Sequence, residues 1–195
     1  MFELPTSIQI DGQSYNIRNQ GDYRVIVDCF SALQDVDLSK AERVYASLII
    51  FYEDLNDIED IEEVFGENTT EAIKQMYLFF NCGQPQEDTP TSQYNLVDWD
   101  KDSMMISSAV NQVAGVEVRS AEYVHWWTFM GYYIAVKESL LNTVIGIRYK
   151  MAKGKSLDKH ERRFVAENPQ YFQIDVRSTE EKENDMYVKS IWNAE

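Results

Sequence analysis

The side chains best placed to do chemistry are acidic. Asp98, Asp100 and Asp102 alternate in VDWDKDS, as carboxylates do at the start of an EF-hand calcium loop. Such a loop also needs a glycine at its sixth position for the turn and a bidentate glutamate at its twelfth. Here those positions hold Ser103 and Ala109, so the turn and the strongest ligand are both missing. The segment 53–63 places seven carboxylates in 11 residues. Two-metal hydrolases, however, gather their ligands around a cleft from separate elements, not from one solvated stretch. A helix N-terminus favours carboxylates without any metal. No metal site is expected, and a metal-dependent hydrolase using Asp98, Asp100 and Asp102 is the third-ranked function.

Nucleophilic chemistry has few candidates. The histidines are His125 and His160, and the cysteines Cys29 and Cys82 lack metal-ligand spacing. His160 lies in the charged DKHERR, and His125 in EYVHWWTFMGYYIAVKE (122–138). No GxSxG elbow, phosphate-binding GxxxxGK[ST] or dinucleotide-binding GxGxxG is present. The expectation is a non-enzymatic protein with no catalytic residues and no cofactor. His125 then reads as a hydrogen-bonded core residue, and the cysteines as buried free thiols.

The elements that would position these residues are mainly helical. SIQIDGQSYNIR alternates apolar and polar residues around Asp11-Gly12, a β-hairpin signal over 7–18 whose Ile8, Ile10, Tyr15 and Ile17 share a face. Tyr23, Ile26, Val27, Phe30 and Leu33 then follow helical spacing to about Gln34. Ser39 and Glu42 form a capping box for a helix to about Glu53. A short helix over 59–65 follows, and then one capped by Thr69 or Thr70 that ends near Gly83. QPQEDTPTSQYN (84–95) holds two of the four prolines and reads as a loop. Helical segments are expected at about 101–114, 121–138, 141–153 and 157–167. The fold class is a compact, mainly α multi-helix domain over 1–174 with a small N-terminal β-hairpin. An acidic helix or tail over 175–195 completes the chain.

Charge narrows the partners. The net charge of −15 is concentrated in residues 1–140, which hold 8 Lys/Arg against 24 Asp/Glu. Within 148–163 the balance reverses, with seven basic residues against two acids. An acidic body repels nucleic acid and anionic membranes, so neither is expected as a partner. No apolar run approaches the ~20 residues of a membrane helix, and MFELPTSIQIDGQ lacks the charged start and apolar run of a secretory signal. An intracellular, soluble protein is expected.

The 122–138 stretch carries six of the chain's 25 aromatic residues. Val124, Trp127, Ile134, Leu140 and Leu141 would make one helix face, with Phe129, Met130, Tyr133 and Val136 filling the others. A helix apolar nearly all round is either central or gripped by a partner on its second face. Core plus interface is the expectation here. Trp126, off the face that Trp127 shares with Val124, Ile134 and Leu141, is expected to meet a partner together with Phe129 and Tyr133. Arg148, Lys150, Arg162 and Arg163 of the basic segment are the remaining interaction candidates.

Several ordered motifs over about residues 4–165 give this chain a family resemblance. The His125-Trp126-Trp127-x-Phe129 helix, the Ile145-Gly146-x-Arg148 segment, the LPTSIQIDGQSYNI opening and YLFFNCG (77–83) resemble the bacteriophage gene-product-fifteen family. The aspartates of LVDWDKDS sit where that family has an aromatic–acidic helix start. The linker at 84–95 and the tail after about 174 lie outside the matching pattern.

The resemblance implies a tail-gene-module protein of phages and prophages of Gram-positive hosts, encoded between the major tail protein and the tape measure protein. Proteins in that position typically act as tail assembly chaperones that coat the tape measure protein in the host cytoplasm and are absent from the virion. The implied partners are the tape measure protein and a neighbouring tail assembly chaperone or tail tube protein; separately, an acidic body with a basic segment at 148–163 suits head-to-tail self-association. The competing reading is a structural tail or head–tail component retained in the virion.

Overall fold

Alternation of apolar and polar residues builds the first element. β1 (Ser7–Ile10) and β2 (Gln13–Asn16) pair antiparallel, Ile8 opposite Tyr15 and Ile10 opposite Gln13. Asp11 (φ 49°) and Gly12 (φ 78°) both take the left-handed conformation that a tight hairpin turn demands. Ile8, Ile10, Tyr15 and Ile17 are all buried, as their shared face requires. The computed structural model describes residues 3–35, 37–85 and 96–173. The expected loop over 84–95 falls there only in part, and the acidic tail over 175–195 lies outside the described residues.

The rest of the described chain is mainly helical. α1 (Tyr23–Gln34) starts at Asp22, whose carboxylate accepts from the Arg24 amide. α2 (Lys40–Phe51) carries the Ser39/Glu42 capping box in full, with Ser39 N donating to Glu42 Oε2 at 2.8 Å. α3 (Ile58–Phe65) has a second such box, from Asp57 and Asp60. α4 (Thr69–Phe80) differs from expectation. Asn68 holds the cap position without a side-chain cap hydrogen bond, while Thr69 is already inside the helix and its hydroxyl donates back to Gly66 O. α5 (Ser103–Ala114), α6 (Trp126–Ala135), α7 (Leu140–Ala152) and α8 (Lys159–Glu167) follow.

These elements gather into two compact units. Among the described residues, the first comprises 3–35, 37–85 and 121–131, and the second 96–120 and 132–173. α6 contributes residues 126–131 to the first unit and 132–135 to the second.

In the first unit α1 packs along α2, and the hairpin covers the core they make with α4. Arg18 closes the end of α2. Its guanidinium donates to the carbonyls of Ile49, Ile50, Tyr52 and Leu55 at 2.6–3.1 Å. The last carbonyls of a helix lack intrahelical donors and carry negative dipole charge, so a cation satisfies both needs. Phe51, Tyr52, Phe65, Phe79 and Phe80 fill this core with edge-on ring contacts.

In the second unit α5 packs on α7 around Met105, Ile106, Val110, Leu141, Val144 and Ile147. Gly115 (φ 71°) ends α5 in the left-handed region. Asp158 and Glu161 form a capping box for α8. Among the described residues, no helix is long and apolar enough to cross a membrane.

Candidate functional site

The aromatic stretch resolves into an extended strap followed by a helix. Residues 121–125 are not helical, because Asp22 and its neighbours claim their backbone. Tyr23 N donates to Val124 O at 2.9 Å, and Val124 N donates to Asp22 Oδ2 at 2.9 Å. Arg24 holds Asp22 in an ion pair at 2.9 Å and donates to Ala121 O at 2.6 Å. α6 can therefore begin only at Trp126. Beside the strap lies an open polar cleft of about 850 Å³, lined by Asn19, Gln20, Asp22, Arg24, Glu122 and Tyr123. Asn19 (φ 48°) and Gln20 (φ 55°) are left-handed without being glycine. The Tyr123 hydroxyl, donating to Gln20 O at 2.9 Å, holds that strained turn in place.

His125 is 2% exposed and serves as a structural pin, as expected of a core histidine. Its Nε2 faces Pro5 O at 3.0 Å, and its Nδ1 accepts from Trp127 N at 3.0 Å. These partners assign the proton to Nε2 and leave neither nitrogen to take a proton from a substrate. Burial lowers its pKa, opposed in part by the Pro5 hydrogen bond and the Asp22 charge. Cys29 is equally committed: burial pushes its thiol up to about 12, far from a thiolate nucleophile. Cys82 is half-buried and also free, so only one of the two thiols is fully interior.

The expected orientation of the tryptophans is reversed. Trp126 is 1% exposed, and its indole nitrogen donates to Phe80 O at 3.0 Å while its ring packs near Phe30 and Phe129. Phe129 is 2% exposed and stacks on Tyr23 at 4.4 Å. Neither side chain is offered to a partner. Trp127, expected in the core, is half-buried over Gly83 and donates to Phe79 O at 2.9 Å. The reversal follows from the strap: with no helix before Trp126, Val124 cannot define the helix's inner face.

The second unit holds a buried ion pair that spacing along one helix does not reveal. Arg148 Nη1 and Nη2 meet Asp102 Oδ2 and Oδ1 at 2.5 and 2.9 Å, a two-pronged contact. Arg148 also donates to Tyr171 O at 2.8 Å and Leu96 O at 2.9 Å. Arg148 is thus an internal clamp and not a contact surface. Asp102 is consumed by this clamp, and Asp98 accepts from the Asp100 and Lys101 amides. The aspartate run therefore organises the start of α5. Among the described residues, no group of three or more His, Cys, Asp or Glu is arranged to hold a metal.

Of the remaining interaction candidates, Tyr133 is half-buried with its ring 5.7 Å from Trp99. Its hydroxyl pKa is raised by burial and then by the Asp102 charge. Lys150 pairs with Glu161 at 2.5 Å, while Arg162 and Arg163 are exposed on α8. Apolar exposure in this unit falls elsewhere, in part on Ile134 and Leu140, which helical periodicity places on an inner face. Met104 is 67% and Ile134 74% exposed, with Val116, Leu140 and Met151 also open to solvent. A recess of about 190 Å³ lies beside Met104 and Leu140, between α5 and the start of α7.

Fold and motifs together define a mainly helical bacteriophage protein. Residues 1–174 match the family described as Bacteriophage Gp15 protein. The chain belongs to that family, which groups it with phage structural or tail-related proteins. Comparison with curated proteins and with solved structures returns no significant match.

Proposed function

We propose that this Gp15-family protein is a non-enzymatic tail assembly chaperone. It holds the tape measure protein in the host cytoplasm and is released as tail-tube subunits polymerise around that client. The observation carrying this reading is the family match over residues 1–174, joined to the tail-module position that the family resemblance implies. Two physical properties support it. The net charge of −15 keeps a holdase in solution while it carries an apolar client. The exposed Met104, Val116, Ile134, Leu140 and Met151 of the second unit supply apolar surface, adaptable at its two methionines, of the kind that grips amphipathic helices.

Co-expression with the neighbouring tape measure protein, followed by affinity pull-down and light scattering, tests the proposal. A soluble complex is expected, with the tape measure protein insoluble when made alone. A tape measure protein whose solubility does not change, with no complex recovered, would overturn it in favour of a virion component.

A further inference from the structure

The first unit has a groove that the aromatic core does not fill. It lies where α2, α3 and the start of α4 meet, encloses about 330 Å³ and has Tyr45, Ile58, Ile61 and Ile73 in its lining. Ile58 is 54% exposed at its edge, an unusual position for an isoleucine on a short helix. Glu62 lines one wall, and Glu59, Glu63 and Glu67 of the same segment are exposed. The segment 53–67 contains eight acids and no lysine or arginine. An apolar floor with an acidic rim suits a basic surface that carries an apolar projection.

Such a surface exists in the second unit of the same chain. Tyr149 is 39% exposed on α7, and the ammonium groups of Lys153 and Lys155 each sit 5.5 Å from its ring centroid. Lys153, Lys155, Lys159, Arg162 and Arg163 are all exposed. Segment 148–163 thus pairs a net charge of +5 (seven basic, two acidic) with an exposed aromatic side chain.

We propose that the protein self-associates head to tail, the α2–α3–α4 groove of one copy receiving the Tyr149-centred basic surface of a second copy. The two surfaces consist of different residues, so the contact is heterologous: each copy presents both halves. The overall charge of −15 does not forbid this. At about 0.15 M salt the screening length is only ~8 Å, so the charges at the contact outweigh those elsewhere. The contact is independent of any client, and its failure would leave the proposed function standing.

Sedimentation velocity of the purified full chain tests the contact. Association is expected in dilute salt, weakening at least ~10-fold as NaCl rises from about 0.15 to about 1 M. Glu59→Lys/Glu62→Lys and Lys153→Glu/Lys155→Glu proteins, with circular dichroism showing both folded, should each be monomeric alone. Mixed in equal amounts they should associate again, because each reversed surface then meets a complementary one. A wild-type chain that is monomeric in dilute salt overturns the proposal. So does an oligomer indifferent to salt, or two variants that fail to associate when mixed.

Discussion

Replacing Asp102 by alanine strips the Arg148 guanidinium of both carboxylate oxygens while leaving it buried, with the side chains 2% and 6% exposed respectively. The arginine keeps only the carbonyls of Tyr171 and Leu96, and water does not reach it easily. Breaking one side of such a buried pair typically costs about 3–5 kcal/mol. Against a total domain stability of ~5–15 kcal/mol this is a large share. With a urea slope of about 2 kcal/mol/M, the midpoint should fall by roughly 2 M. Urea denaturation followed by circular dichroism reads the shift, and hydrogen exchange should place the lost protection on α5 and α7. The double replacement Asp102→Leu/Arg148→Met removes both charges and should recover most of the loss, since apolar substitutes of similar volume often match a buried pair. An Asp102→Ala midpoint within about 0.3 M of wild type would refute the assignment of Arg148 as an internal clamp.

Four further outcomes are expected. Trp126→Ala should cost about 3–5 kcal/mol of stability, as for other emptied aromatic core sites. Met104→Ser and Ile134→Ser should leave the unfolding free energy within about 0.5 kcal/mol of wild type yet weaken client capture in pull-downs. Gly21→Ala should destabilise more than Gly115→Ala. Both glycines are left-handed, but at Gly21 a Cβ would stand 2.8 Å from Phe79 Cζ and 3.2 Å from His125 Nε2, whereas at Gly115 it meets open space. His125 should make stability depend on pH. Its folded pKa is depressed by burial, so the unfolded chain binds its proton first as pH falls. The contribution of the neutral ring is complete above about pH 6.5 and drains away below it. Urea midpoints at pH 7.5 and 5.5 should therefore fall further in wild type than in His125→Gln.

Local signals read from the sequence were reliable where a neighbour a few residues away completes them. The Asp11-Gly12 hairpin, the Ser39/Glu42 box and the buried face of Ile8, Ile10, Tyr15 and Ile17 all depend on such partners. The errors arose where a distant residue decides. A helix from 121 was expected because the aromatic run is apolar, but Asp22, about a hundred positions earlier, binds the backbone at Val124 and holds the strap extended. That one contact displaced the helix start and exchanged the roles of Trp126 and Trp127. Ile134, placed on the inner face by the same reasoning, is 74% exposed. The Arg148–Asp102 clamp joins residues 46 apart. A signal for it was nonetheless present: Arg148 falls in register with the buried Leu141 and Val144 on α7, where a charge must find a partner. The groove edged by Ile58 was hidden for another reason, since an isoleucine in an acidic run does not reveal which helices leave it uncovered.

The most direct test of the account follows the tape measure protein through infection. Complexes captured on that protein before tails are complete, and purified mature particles, are both analysed by mass spectrometry. The account predicts this chain in the early complexes, in several copies per tape measure protein, and its absence from finished particles. Its presence in the particles, or its absence from the early complexes, would contradict the chaperone reading.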